Sequence, residues 1–82
     1  LMTQALMVPY AGGGFLVRSL EPGSLYQKLG LQPGDVVQAV NGQPLRSVQQ
    51  AMQIYGQLPN ANAIDLQILR HGKAQDLHYL IQ

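Results

Sequence analysis

Closely spaced turn signals constrain this chain more than any other feature. Gly12-Gly13-Gly14, Pro22-Gly23, Pro33-Gly34, Asn41-Gly42, Pro59-Asn60 and His71-Gly72 recur at intervals of roughly ten to fifteen residues. Glycine accepts the positive φ angles of tight turns, and proline has no N–H for a ladder or helix, so each pair ends the element before it. Only short strands and one or two helices fit between them. With 82 residues the chain builds one small core, and the expectation is a single domain over residues 1–82.

Between the breaks, "FLVRSL" (15–20), "DVVQAV" (35–40), "AIDLQIL" (63–69) and "DLHYLI" (76–81) are rich in β-branched and aromatic residues and read as strands. The clearest alternation turns Ile64, Leu66 and Ile68 inward and Asp65 and Gln67 outward. A hairpin around Arg70-His71-Gly72-Lys73 then returns a strand carrying Leu77, Tyr79 and Ile81 inward. "TQALMV" (3–8) makes a further strand, and "SLYQKLG" (24–30) a short helix capped by Ser24 and stopped by Gly30.

The segment 47–58, "SVQQAMQIYGQL", predicts the long helix, with Ser47 as N-cap and Pro59 just beyond its end. On a helical wheel Gln49, Gln50, Gln53 and Gln57 form one polar face, while the apolar residues span about 160°. Docking on a core needs a stripe of roughly 100°, which Ala51, Ile54 and Leu58 supply. Val48, Met52 and Tyr55 are therefore surplus: either extra core or the wall of a groove.

Composition narrows the function classes. Charged residues are only 11% of the chain, the net charge is +1, and Arg18, Lys28, Arg46, Arg70 and Lys73 are scattered singly. Nucleic acids and anionic membranes are captured by adjacent cations, so neither is expected as a direct partner. Cysteine is absent, which removes thiolate catalysis, Cys-based zinc sites and disulfides. No apolar stretch approaches the ~18 residues of a membrane span, and no secretory signal pattern opens the chain, so if the protein is exported or anchored, the signal lies outside this stretch.

No catalytic site, metal site or cofactor is expected. Ser24 and Ser47 are placed to cap helices, Ser19 lies in no strained nucleophile turn, and His71 and His78 match no compact ligand spacing. Asp65 and Asp76 alternate outward as solubilising charges. The "GGGF" run (12–15) feeds a strand rather than a helix, so it reads as a turn between strands and not as a phosphate cradle. Asp35, behind Pro33-Gly34, is expected to accept hydrogen bonds from nearby amides and hold that turn.

The stretch "GGFLVRSLEPGSLYQKLGLQPGDVVQAVNGQPL" (13–45) resembles the central signature of PDZ domains: a glycine-led strand, a "PGS" turn, a short helix ending in glycine-leucine, a "GD" strand entry and an "NG" turn. The likeness continues through the long helix and the hairpin "ILRHGKAQDLHYLI", in the bacterial, circularly permuted order. It implies an α+β fold: a PDZ-like small β-sandwich or partly open barrel of about five strands, with one short and one long helix. Within the family the texture is most similar to the periplasmic PDZ domain of the type II secretion C component, an inner-membrane-anchored subunit. Tyr26 and Leu29 are bulky where protease-associated PDZ domains usually read "SPA…AGL".

PDZ domains add an extended segment of a partner as a strand beside one sheet edge and the long helix. Carried over by position, the groove consists of Ala5, Leu6 and Met7 on the strand and Val48, Met52 and Tyr55 on the helix. Polar-selective members place a histidine where this chain has Val48, so the implied partner is a protein or peptide segment with apolar side chains. The glycine run does not carry over as a carboxylate-binding loop, because it precedes the strand before "EPGS" and not the groove strand. An internal segment or a folded partner's edge strand therefore fits as well as a chain terminus. Three settings follow: a periplasmic secretion module tethered to the inner membrane by a segment outside this chain, the regulatory PDZ domain of a periplasmic protease, or a self-associating unit.

Overall fold

The computed structural model describes residues 5–57 and 60–80. Six strands and two helices follow in the order β1 (Ala5–Pro9), β2 (Phe15–Leu20), α1 (Leu25–Lys28), β3 (Val36–Val40), β4 (Gln43–Pro44), α2 (Val48–Gln57), β5 (Ala63–Arg70) and β6 (Lys73–Leu80). All pairings are antiparallel in one sheet of order β1-β2-β3-β5-β6, with β4 paired to β3. The sheet is open, since β1 and β6 are not paired with each other. Residues 3, 4, Leu58 and Ile81, assigned above to a strand, a helix and a strand, lie outside the described residues.

Two details differ from the sequence reading. β4 is a sixth strand, formed where Asn41 and Gly42, both at positive φ (50° and 81°), fold the chain back so that Gln43 meets Val40. Its two residues include Pro44, which a ladder tolerates only at an edge, so it carries no alternation to read. β6 begins at Lys73 rather than Asp76, because the two-residue turn His71-Gly72 lets pairing start at Arg70–Lys73.

The core follows from the period-two pattern. Ile64, Leu66 and Ile68 are buried and alternate with exposed Asp65 and Gln67. β3, flanked by β5 on one side and by β2 and β4 on the other, buries Val36, Val37, Ala39 and Val40. Of these, Val37 and Val40 pack in one cluster with the three β5 residues, Phe15 and Val17 of β2, and Leu29, Leu31, Leu45 and Ile54.

Caps hold both helices in place. At α1 the Ser24 hydroxyl accepts from the Gln27 amide at 3.3 Å, while the Gln27 side chain accepts from the Gly23 amide at 2.7 Å. The helix ends in a Schellman motif: the Gly30 amide donates to the Gln27 carbonyl at 3.0 Å and the Leu31 amide to the Tyr26 carbonyl at 3.3 Å. At α2 the Ser47 hydroxyl accepts from the Gln50 amide at 3.0 Å, and Gln50 reaches back to the Arg46 amide at 2.8 Å.

Asp35 is a scaffolding residue, and more than a turn holder. It is 2% exposed, and its Oδ2 accepts from the Gln32 amide at 2.9 Å across the Pro33-Gly34 turn. The Arg70 guanidinium also grips it in a two-pronged pair, Nε to Oδ1 at 2.9 Å and Nη2 to Oδ2 at 2.7 Å. Nη2 further donates to the Gly30 carbonyl at 2.8 Å, so one side chain ties the end of β5 to the start of β3 and the end of α1. Burial alone pushes the Asp35 carboxyl up; the bonds from Arg70 and Gln32, and the charges of Arg70 and His71, outweigh it and hold the carboxyl below the ordinary carboxylate range.

Candidate peptide-binding cleft

The helix α2 docks by a narrow part of its apolar arc. Ile54 is buried and Ala51 half-buried, while Val48, Met52 and Tyr55 stay exposed, Met52 at 68%. Beneath and beside the helix runs a cleft of about 520 Å³. Val48, Met52 and Tyr55 line one wall, and Ala5, Leu6 and Met7 of β1 line another. Its lining also takes in Phe15, Val37, Val40 and Leu66 from the core, and among the described residues no charged one belongs to it.

All six residues named from the sequence thus lie around one cleft. Sequence reasoning marked Tyr26 and Leu29 only as bulky residues of the family texture and did not assign them, or Leu31, to the groove; all three belong to the same lining. Tyr26 stacks on Tyr55 with ring centroids 6.1 Å apart and planes 17° from parallel, joining the two helices. Burial, with the Tyr55 phenol beside it, pushes the Tyr26 hydroxyl above the ordinary tyrosine value, so it is a neutral group at physiological pH. Leu31 is positioned by the Schellman bond to Tyr26, so the capping chemistry of α1 also shapes this part of the cleft. The spacing of Tyr26, Leu29 and Leu31 carried a signal, a bulky apolar group around the helix stop, but not its direction.

β1 ends the sheet, and among the described residues it pairs only with β2. The Tyr10 amide donates to the Gly14 carbonyl at 2.9 Å. By antiparallel alternation, Val8 bonds inward to Leu16 and the main chain of Met7 and Pro9 turns to the free side. Pro9 has no N–H, so the free donor row stops there. The register shift between Leu6 and Met7 leaves Arg18 of β2 as the extra residue of a bulge opposite them. The cleft is thus a pairing edge bordered by apolar side chains, able to hold an extended chain through its backbone and select it by its side chains.

The other chemistry-bearing residues lie elsewhere. Glycines 12–14 form the turn between β1 and β2, where the Gly13 amide donates to the Tyr10 carbonyl at 2.9 Å. His71 sits in the β5–β6 turn at φ 54°. His78 contacts Asp65 across the same two strands through Nδ1 and Oδ1, on an exposed face.

The family profile described as "PDZ domain" matches residues 16–70. Type II secretion system protein C of Klebsiella pneumoniae is 35% identical over 66 residues, covering 77% of this chain and 23% of its own length. Periplasmic serine endoprotease DegP of Salmonella typhimurium is 32% identical over 81 residues, covering 99% of this chain and 17% of its own. The chain spans less than a quarter of the length of the curated relatives it matches. Among solved structures, the PDZ domain of the pullulanase C protein of the Klebsiella pneumoniae type II secretion system, in complex with a fatty acid, superposes with a TM-score of 0.66 at 29% identity. That match covers 96% of this chain and 86% of the other.

Proposed function

Because the chain belongs to the PDZ domain family, we propose that its cleft adds an extended, apolar segment of a partner protein as a strand along β1, against α2. The carrying observation is the cleft itself: a pairing edge at Ala5, Leu6 and Met7 faced by the exposed side chains of Val48, Met52 and Tyr55. The module is non-catalytic, works as one part of a longer chain, and serves type II secretion in the periplasm, tethered to the inner membrane through a segment outside residues 1–82. Likeness to secretion protein C in sequence and to the pullulanase C domain in structure supports that setting. That the pullulanase C domain is found in complex with a fatty acid supports an apolar ligand. The DegP match over nearly the whole chain favours a second setting, a substrate-binding domain beside a protease, in which the same cleft does the same work. The full-length sequence separates them: one membrane span ahead of the domain fits secretion, a serine protease domain fits the second.

Met52→Lys tests the cleft. The side chain is exposed, so the fold is expected to lose less than about 0.5 kcal/mol. Amide shifts on titration with an apolar pentapeptide, amidated or free at its C-terminus, are expected along Ala5–Met7 and α2 in the parent chain. Affinity is expected at roughly micromolar or poorer, as for a short segment that must be ordered on binding. In Met52→Lys these shifts should vanish while the rest of the spectrum stays in place. Equal titration of both chains removes the cleft from the binding mechanism. Equal affinity for the two peptide forms is expected, since among the described residues no charged one lines the cleft.

A further inference from the structure

The sheet has a second free rim. β6 pairs with β5 alone among the described residues, six of its eight residues are exposed, and Leu80 stands 61% open. Its pairing with β5 runs without a register shift from Arg70–Lys73 to Ala63–Leu80. His71 and Gly72 both have positive φ, 54° and 78°, as in the two-residue hairpin whose closing pair exchanges both main-chain bonds. Counting from that pair, Lys73, Gln75, Leu77 and Tyr79 bond back to β5. Ala74, Asp76, His78 and Leu80 turn their N–H and C=O groups outward. An eight-residue edge with no proline and no bulge lacks two of the usual devices against pairing with another chain.

We propose that β6 pairs antiparallel with β6 of a second copy of this chain, with Leu77 opposite Leu77, joining the two sheets into one. Alternation allows only registers in which outward-facing residues oppose one another. Centring on Asp76 sets carboxylate against carboxylate, and centring on His78 sets imidazole against imidazole; like groups opposite each other weaken a pair. Centring on Leu77 avoids both and uses all four outward residues. Asp76 then faces His78 of the second copy, Ala74 faces its Leu80, and the two-fold axis repeats both contacts in reverse. This arrangement covers the exposed Leu80, and a two-fold contact closes on itself, so assembly stops at the dimer. The cleft lies beside β1 at the opposite rim and stays open, so the pairing holds whatever the cleft binds.

Strand pairing of this length buries little area, so the dimer is weak, with Kd on the order of 10⁻⁵ to 10⁻³ M. Sedimentation equilibrium of the 82-residue chain from about 10 µM to about 1 mM is expected to show mass rising toward two copies. Over that range amide exchange should slow at Ala74, Asp76, His78 and Leu80 but not at Gln75 or Leu77. Asp76→Lys, which removes the carboxylate facing His78 of the second copy, is expected to weaken dimerisation at least about tenfold. Ala74→Pro removes only an outward N–H, spares the β5 ladder, and should also lower the dimer fraction with the fold intact by amide spectra. A monomer at every concentration overturns the proposal. So does a dimer indifferent to Asp76→Lys and Ala74→Pro, or one whose slowed amides fall on β1.

Discussion

Arg70→Ala is expected to destabilise the domain by about 3 to 5 kcal/mol, the range found when one partner is removed from a buried ion pair. A chain of 82 residues has about 4 to 12 kcal/mol in total, so the variant should be partly unfolded at 37 °C. The loss is large because Asp35 is 2% exposed and cannot turn to water, whereas the guanidinium, at 19%, is itself only partly wet. Arg70→Lys should recover little, since an ammonium cannot reproduce the bonds to both carboxylate oxygens and the Gly30 carbonyl. The pH dependence separates charge from packing. In the parent, the folded state holds the Asp35 proton less readily than the unfolded chain, with its ordinary value near ~3.9. The pair's contribution is therefore complete above about pH 4 and is lost as pH falls below that through the folded-state value. In Arg70→Ala the Gln32 bond and the His71 charge remain, but burial is the largest influence left and pushes the carboxyl upward, so the deficit relative to the parent should shrink between pH 7 and pH 4. Urea unfolding at several pH values measures this. A deficit constant with pH would mean that Arg70 acts through packing and the Gly30 bond alone.

That pair also marks where sequence reasoning stops. β2, β3, β5 and α2 were legible because each is written locally, in apolar spacing between turn residues. The role of Asp35 at its turn was legible for the same reason, since Gln32 is three residues away. Its partner Arg70 is 35 positions on, at the end of an alternating strand, where nothing in the local pattern separates it from a solvated charge. β4 was hidden because two residues, one of them proline, have no periodicity. For the cleft, the wheel of α2 showed more apolar surface than docking needs, and Val48, Met52 and Tyr55 are indeed the exposed part of that arc. What periodicity does not contain is how far a helix stands from its sheet. The reach of the cleft to Phe15 and Val37, and the stacking of Tyr26 on Tyr55, come from packing between distant elements.

Gly14→Ala is the second large effect, and its comparison with Gly13→Ala isolates the cause. Both glycines have positive φ, 85° at Gly14 and 105° at Gly13, so a Cβ at either position costs about 1 to 2 kcal/mol in backbone strain. At Gly13 nothing else lies within 4 Å of the added carbon, and the cost should end there. At Gly14 the carbon would fall 2.4 Å from the Val37 carbonyl oxygen and 3.1 Å from the Gln38 Cα, main-chain atoms that cannot swing aside. β2 would have to move away from β3 at Phe15–Val37 and Leu16–Val36, the register pairs that join the two strands. Those residues include Phe15 and Val37 of the core, so the displacement also loosens packing, for a total of about 3 to 5 kcal/mol. At roughly 4 to 8 °C per kcal/mol for a domain this small, the midpoint of thermal unfolding should drop by about 12 to 40 °C in Gly14→Ala and by about 4 to 16 °C in Gly13→Ala, with the first drop the larger. Because the glycine run leads from β1 into β2, a shifted β2 also carries the cleft edge at Ala5–Met7 with it. Whatever fraction of Gly14→Ala remains folded should bind the apolar pentapeptide less tightly, while Gly13→Ala binds as the parent does. Equal melting temperatures for the two variants would show that the approach of Gly14 to β3 has no energetic weight.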